Sequence, residues 1–441
     1  MLLPASPVGS LDDYIAQGGS EGLTNAIARG PEAIIEEIKR SGLRGRGGAG
    51  FPTGAKWEAV RNAGPGATYM VCNAAEGEPG TFKDRLLMRR NPYQVIEGLA
   101  IGAFAVGAQE AHIALKRSFT PELAAIRRAI DEFTKAGLLG AMPVIVDEGP
   151  DEYLFGEEKA MLEVIEGNPP MPRILPPYQQ GLFAKPDAPN PTAANNVETL
   201  ANVPHIMREG VERFRGAGTK TSPGTMLFTI SGDVQTHGVF ELSLGTPLRT
   251  LVYDVAAGPP EGRAVKAIFP GASASVLTAE HLDVPMSFDA LEEVGSGLGS
   301  AGFVVYDESA CIVRATRDFS RFLWIESCAQ CPPCKQGSED ITSALERIEA
   351  GEGDELDLTT IQERALTVTD GKRCALPNGE ASIVASCLER FAEEFREHLG
   401  QPCPRSPELA FPKIVDFDEQ NGRFSYDERY AKKRADWTYA E

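Results

Sequence analysis

The sequence predicts an α/β domain with a largely parallel sheet, then a small α+β module, then a helical bundle. Three observations carry that reading. Strand-like and helix-like segments alternate through the first half, the pattern that builds parallel sheets through crossover helices. From Thr225 short β runs crowd around a single helix. Beyond about Asp307 the apolar spacing turns helical and stays so to about residue 400, as in a compact bundle. The implied domains are 1–222, 223–305 and 306–400, with an extended arm at 401–441.

In the first domain PEAIIEEIKRSGL reads as an amphipathic helix running into a glycine-rich loop, and ATYMVCN as a short strand ending at Asn73. NPYQVIEGLAIGAFAVGA has Pro92 at a helix start and small residues that permit close packing. EAHIALK is a strand. TPELAAIRRAIDEFTKAG is a helix with Thr120 as N-cap and Gly137 past its end, and PVIVDEG returns to strand. Residues 168–191 hold eight prolines and form an extended surface segment. The helix NNVETLANVPHIMREGVERF is expected to kink or break near Pro204. In the second module TMLFTISGDV, GVFELSLG, TPLRTLVYDVAAG and VKAIFPGAS read as β runs. The final forty residues mix prolines, aromatics and charges, an arm expected to order against a partner.

The 441 residues suffice for two or three domains and a sizeable core. With 43 Lys+Arg against 63 Asp+Glu the net charge is −20, which argues against nucleic acid or an anionic membrane as the main partner. The opening MLLPASPVGSLDDYIAQ lacks the basic and apolar regions of a signal peptide. The longest apolar run, LAIGAFAVGA, is far shorter than the roughly 20 residues of a spanning helix. A cytoplasmic protein, at most peripheral to a membrane complex, is expected, and its clustered cysteines point to metal or redox chemistry rather than a disulfide framework.

ESCAQCPPCKQG places Cys328, Cys331 and Cys334 on one tight turn and its exit, and Cys374, with 39 residues between it and Cys334, follows the next helices. Three close thiolates and one remote one form an iron–sulfur pattern, because a cubane takes one ligand at each of four corners. Structural zinc, the rival, more often uses two separated pairs. Cys72, Cys311, Cys387 and Cys403 fall outside ligand-like spacing and read as buried or free thiols, Cys403 being placed to touch a partner. The five histidines, His112, His205, His237, His281 and His398, are scattered and receive no catalytic role.

GLRGRGGAGFPTGAKW contains a formal G-x-G-x-x-G in Gly45, Gly47 and Gly50, but a helix rather than a strand precedes it, so the ordinary dinucleotide fingerprint is rejected. Its unhindered backbone N–H groups, the helix start near Thr53 and the cations Arg44, Arg46 and Lys56 suit phosphates. NAAEGEPGTFKDR sits just past a strand, where α/β folds bind ligands; Asn73, Glu76 and Glu78 are placed to bond ribityl, ribose or amide groups.

These two stretches, with EYLFGEE, PTAANNVETLA and ESCAQCPPCKQG…RC, together resemble the NADH- and FMN-binding flavoprotein subunit of respiratory complex I and its relatives in NAD-linked formate dehydrogenases and hydrogenases. The likeness covers about residues 30–400 in the same order. It implies a Rossmann-like flavin/NADH domain, a β-grasp module and a helical iron–sulfur domain. It also implies FMN held by Gly45, Arg46, Gly47, Gly48, Lys56, Asn73, Glu76, Tyr153, Gly156, Glu157, Asn195, Asn196 and Thr199. NADH would face Phe51, Glu78, Glu158 and Tyr178, and a [4Fe–4S] cluster would sit on Cys328, Cys331, Cys334 and Cys374. The implied activity is hydride exchange between NAD(H) and FMN, with single electrons passed to or from the cluster and a partner iron–sulfur subunit of thioredoxin-like fold. That partner would belong to a larger complex of the complex I, formate dehydrogenase or hydrogenase kind. The chain departs from the family pattern at Ala75, where Asp is usual, at Gly149–Tyr153, and at Leu175 and Tyr178 in a KPPF-like string. Those departures motivate an alternative: a flavin and iron–sulfur relay that has lost NAD(H) binding.

Overall fold

The computed structural model describes residues 2–64, 66–185, 187–403 and 411–440. They divide into two compact units. The first comprises residues 1–76, 83–227 and 241–245, and the second residues 77–82, 228–240 and 246–441.

The first unit is built on four strands, β1 (Tyr69–Asn73), β2 (Glu110–Lys116), β3 (Val144–Gly149) and β4 (Thr192–Asn196), in the order β3-β2-β1-β4. Every pairing is parallel, with Asn73 beside Asn196 at the carboxyl ends of β1 and β4. The crossover helix Pro92–Val106 starts at Asn91, whose side chain caps Gln94 N–H, and stops at Gly107 in the left-handed region. It is buried almost all round because its glycines admit neighbours: a Cβ on Gly98 would lie 2.0 Å from the Leu200 carbonyl oxygen. The helix expected after Thr120 forms over Thr120–Lys135, with Phe119 rather than Thr120 at the N-cap.

The helix Val197–Glu209 runs unbroken through Pro204 and ends at Gly210 (φ 90°), contrary to the expected break at the proline. Pro204 has no N–H for the Leu200 carbonyl, and that oxygen packs against Gly98 instead, where no side chain intrudes.

A mixed sheet follows, of β5 (Thr225–Gly232), β6 (Gly238–Ser243), β7 (Val265–Pro270), β8 (Leu277–Thr278) and β9 (Gly302–Asp307), ordered β6-β5-β9-β7-β8. β5 and β9 run parallel, whereas β7 pairs antiparallel with both β8 and β9. The stretch TPLRTLVYDV, expected as strand, is helical over Thr250–Val255. Leu248, Leu251 and Val252 are fully buried at helical spacing, which outweighs the β-branched and aromatic content that suggested a strand.

Five helices follow, Ile312–Glu326, Pro332–Ala350, Glu355–Thr367, Leu376–Arg390 and Ala392–Glu397. The C-terminal arm forms a hairpin of β10 (Ile414–Asp418) and β11 (Arg423–Tyr426). It then folds onto its own chain. Tyr430 Oη and Lys433 Nζ donate to the buried Glu326 Oε1 at 3.0 and 2.9 Å, and Trp437 Nε1 donates to the Ile325 carbonyl at 2.9 Å. The arm thereby pins the end of the helix that leads into Cys328. Among the described residues no helix is long and apolar enough to cross a membrane.

Candidate functional site

In the first sheet the chain leaves β1 toward β2 and β3 on one side and returns with β4 on the other. The carboxyl ends of β1 and β4 therefore flank a topological switch point, the place where open parallel sheets bind ligands. Three loops meet there. Arg46 N–H in the glycine loop donates to Thr199 Oγ1 at 2.8 Å, and a Cβ on Gly47 would stand 3.1 Å from the Asn196 Cβ. Asn73 Nδ2 donates to the Gly156 carbonyl at 2.7 Å, and a Cβ on Gly156 would approach the Ala75 carbonyl to 3.1 Å. Asn195, one residue before the strand end, accepts from Trp57 Nε1 at 2.8 Å.

Gly45 N–H donates to the Phe51 carbonyl at 2.8 Å, closing the loop on itself, and Gly48 (φ 130°) lies where a side chain would be strained. The Thr53 hydroxyl, in the first turn of the helix Thr53–Arg61, is buried with no hydrogen-bond partner among the described residues. A glycine loop, a helix start and a hydroxyl without a partner among the described residues fit a phosphate-bearing cofactor. The Arg46 guanidinium, expected at the phosphate, donates to the Pro223 and Thr225 carbonyls at 3.0 and 3.2 Å. Burial lowers its pKa to about 10.

Lys56 Nζ pairs with Glu158 at 3.0 Å and donates to the Ala194 carbonyl at 3.0 Å, so it links β4 to the start of the helix Glu158–Ile165. Glu157 caps that helix by accepting from Lys159 and Ala160 N–H, each at 2.9 Å. Burial pushes its pKa up to about 7. Glu76 accepts from Asp84 and Arg85 N–H, and burial followed by the neighbouring Asp84 carboxylate pushes it up to about 7 as well. Both acids are thus partly protonated at neutral pH, and the pocket holds less negative charge than its composition suggests. Tyr153, half-buried, opens the turn Tyr153–Gly156, while Phe51 and Tyr178 are exposed. Glu78 belongs to the second unit, where its Oε1 accepts from Ala272 N–H at 2.7 Å.

The sequence pattern gives no sign of the ionic base beneath these loops. Lys83, fully buried, pairs at 2.8 Å with both Asp84 and Glu198, and Asp84 Oδ2 accepts from Asn196 Nδ2 at 2.6 Å. Burial alone would depress the Lys83 pKa, but the Asp84, Glu198 and Glu76 carboxylates outweigh it and hold the ammonium charged. In a sequence, KDR before a helix looks like a solvated charge run.

In the second unit Cys331 is the N-cap residue of the helix Pro332–Ala350 and Cys334 lies in its first turn, with Cys328 on the preceding loop, where Ala329 takes φ 61°. Their sulfurs are close enough to raise one another's pKa: burial first, then Cys328 and Cys331, push Cys334 up to about 11. The Arg373 side chain, next to Cys374 in the chain, hydrogen-bonds the Cys331 sulfur. Lys335 Nζ donates to the Trp324, Ser327 and Ala435 carbonyls at 2.9, 3.1 and 2.9 Å, bracing the turn. These four sulfurs do not form a set of three within 4.8 Å of one another among the described residues.

Beneath the turn Glu380 is fully buried, accepts from Ser320 Oγ at 2.6 Å, and is pushed by burial from 4.5 to about 8. A carboxyl whose folded pKa is raised contributes stability in its neutral form. That contribution is whole below about 4.5 and is lost as pH climbs to about 8. Glu380→Gln, neutral throughout, is expected to remove a pH-dependent difference on the order of a few kcal/mol across that window. Urea midpoints of the two holoproteins measured from pH 4.5 to 8 read it, and a constant offset would contradict it.

At the glycine loop Gly47→Val is expected to cut FMN content at least about tenfold, or about 1.4 kcal/mol, since its Cβ already meets Asn196. Released flavin per chain measures this, and a full complement would contradict it.

Two family models match the chain, the Nuo51 FMN-binding domain over residues 38–205 and the NADH-ubiquinone oxidoreductase-F iron-sulfur binding region over residues 314–398. The F 2 subunit of the NADH-quinone oxidoreductase of Rhizobium meliloti (strain 1021) is 43% identical over 407 residues, covering 89% of this chain and 96% of that protein. The NADP-reducing hydrogenase subunit HndC of Solidesulfovibrio fructosivorans is 36% identical, covering 90% and 82%. Among solved structures, the NAD+-reducing [NiFe]-hydrogenase in the air-oxidized state superposes with a TM-score of 0.78 at 31% identity, covering 92% of this chain and 69% of that one. The switch-point loops fall in the first matched region and the clustered cysteines in the second, so the chain belongs to the family of NADH-quinone oxidoreductase F subunits, an oxidoreductase component of a larger redox complex that binds FMN and a [4Fe–4S] cluster.

Proposed function

We propose that the first unit binds FMN at the β1/β4 switch point and receives NAD(H) over it, and that Cys328, Cys331, Cys334 and Cys374 ligate the cluster. Bound FMN supplies the conversion between hydride transfer with nicotinamide and single-electron exchange with an iron–sulfur centre. The residues of this chain place and tune it. The loop Gly45–Gly48 with Thr53 takes the phosphate, and Asn73, Asn195, Asn196 and Thr199 position the remainder. Glu76 and Glu157, partly neutral, limit repulsion of the phosphates. Exposed Phe51 and Tyr178 offer aromatic faces for the nicotinamide and adenine ends. Lys56 holds Glu158 at the rim, where it orients the nicotinamide.

The observation that carries this reading is the meeting of three sequence-distant loops at the carboxyl ends of β1 and β4. The five-stranded sheet of β5–β9 supports a β-grasp module near residues 223–305, ahead of a helical domain at 306–400 and the arm. Electrons leaving a single cluster require a docking partner, and an iron–sulfur protein of thioredoxin-like fold is the candidate; the location is cytoplasmic, peripheral to the complex. No observation favours the relay that has lost NAD(H) binding. The test is ferricyanide reduction by flavin-loaded protein given NADH or NADPH. Turnover with NADH is expected, and a loaded protein inert to both nucleotides would overturn the reading.

A further inference from the structure

We propose a second metal site, separate in its ligands from the cluster cysteines, in which Cys311, His398 and Cys403 bind one zinc ion. The three donor atoms lie within 4.8 Å of one another although the residues come from distant parts of the chain. Cys311 caps the helix Ile312–Glu326, its sulfur accepting from Arg314 N–H at 3.4 Å. His398 ends the helix Ala392–Glu397 and is fully buried. Its Nδ1 lies 2.7 Å from the Glu394 carbonyl oxygen, which only accepts, so Nδ1 carries the proton and donates. The lone pair is therefore on Nε2, which faces the Cys311 sulfur at 3.4 Å. A ring nitrogen oriented through its other nitrogen by a backbone carbonyl is the usual outer shell of a histidine ligand.

Tetrahedral zinc with bonds of about 2.3 Å to sulfur and 2.0 Å to nitrogen sets its donors about 3.5–3.8 Å apart, close to the 3.4 Å between Cys311 Sγ and His398 Nε2. Arg314 faces the same group, its charge interacting with Cys403 and Cys311, and is itself paired with Glu349 at 2.9 Å. Two thiolates and one neutral imidazole balance the dication and leave a fourth position for water or another donor. The ion would staple the chain where it leaves the helices to the strand end after β9, closing a loop of 92 residues between Cys311 and Cys403. Sequence spacing hid the site because no two of the ligands are nearer than five residues apart.

The test is metal analysis of the holoprotein purified after growth with zinc, together with X-ray absorption at the zinc edge. The expected result is about one zinc per chain beside the iron, with two sulfur and one nitrogen neighbours. Cys403→Ser and His398→Gln are expected to lower zinc at least about tenfold, with iron and flavin retained. Should His398→Gln fail to fold, Cys403→Ser and the wild-type spectrum decide. Zinc below roughly a tenth of an equivalent in iron-replete protein overturns the site. So does zinc kept in full by Cys403→Ser, a disulfide between Cys311 and Cys403, or zinc held by four sulfurs, which would place it in the cluster cysteines.

Discussion

Replacing Cys334 with serine is expected to strip iron from the protein while leaving FMN bound. Cys334 is 6% exposed in the first turn of its helix, with Ser327 Oγ at 3.3 Å from its sulfur. A serine hydroxyl there is protonated at neutral pH and offers a poor ligand where a cube needs one thiolate at each corner. Changes to residues that merely support metal ligands cost about 10–100-fold, so loss of a ligand is expected to cut transfer to a one-electron partner by about a hundredfold or more. Because the residues proposed to hold the flavin belong to the other unit, NADH-driven ferricyanide reduction should persist. Iron per chain and the two activities measured side by side decide the matter. Unchanged iron would remove Cys334 from the ligand set.

Lys83→Met is expected to destabilise the first unit by about 3–5 kcal/mol, the cost of leaving buried charge uncompensated. The ammonium is the shared partner of Asp84 and Glu198, all three nearly or wholly buried. Glu198 Oε1 also accepts from Leu227 N–H at 2.8 Å, and Asp84 steadies Asn196. Without the cation one carboxyl must take up a proton or draw in water, and both routes move Asn196 and with it the wall of the flavin pocket. Denaturant unfolding and FMN content should fall together. A variant with wild-type stability and full flavin would show that Lys83 is dispensable.

The motifs of the proposed site stand out in the chain because their chemistry is local. Three cysteines within seven residues, a glycine loop carrying cations, and an acidic loop past a strand each declare themselves without a fold. What escaped depends on tertiary burial. Lys83 carries no sequence signal of its place between two buried carboxylates. Pro204 looked like a breaker until Gly98 was found against the orphaned carbonyl. Thr250–Val255 looked like a strand because residue type outweighed the helical spacing of Leu248, Leu251 and Val252. Cys311, His398 and Cys403 carried no signal at all, since their convergence needs the closed helical unit.

Anaerobic titration of the holoprotein with NADH, following the flavin and iron–sulfur absorption bands together, tests the central claim most directly. Bleaching of both bands in the wild type, and of the flavin band alone in Cys334→Ser, is the expected result. A flavin-loaded, iron-replete protein whose spectrum NADH leaves unchanged would contradict it.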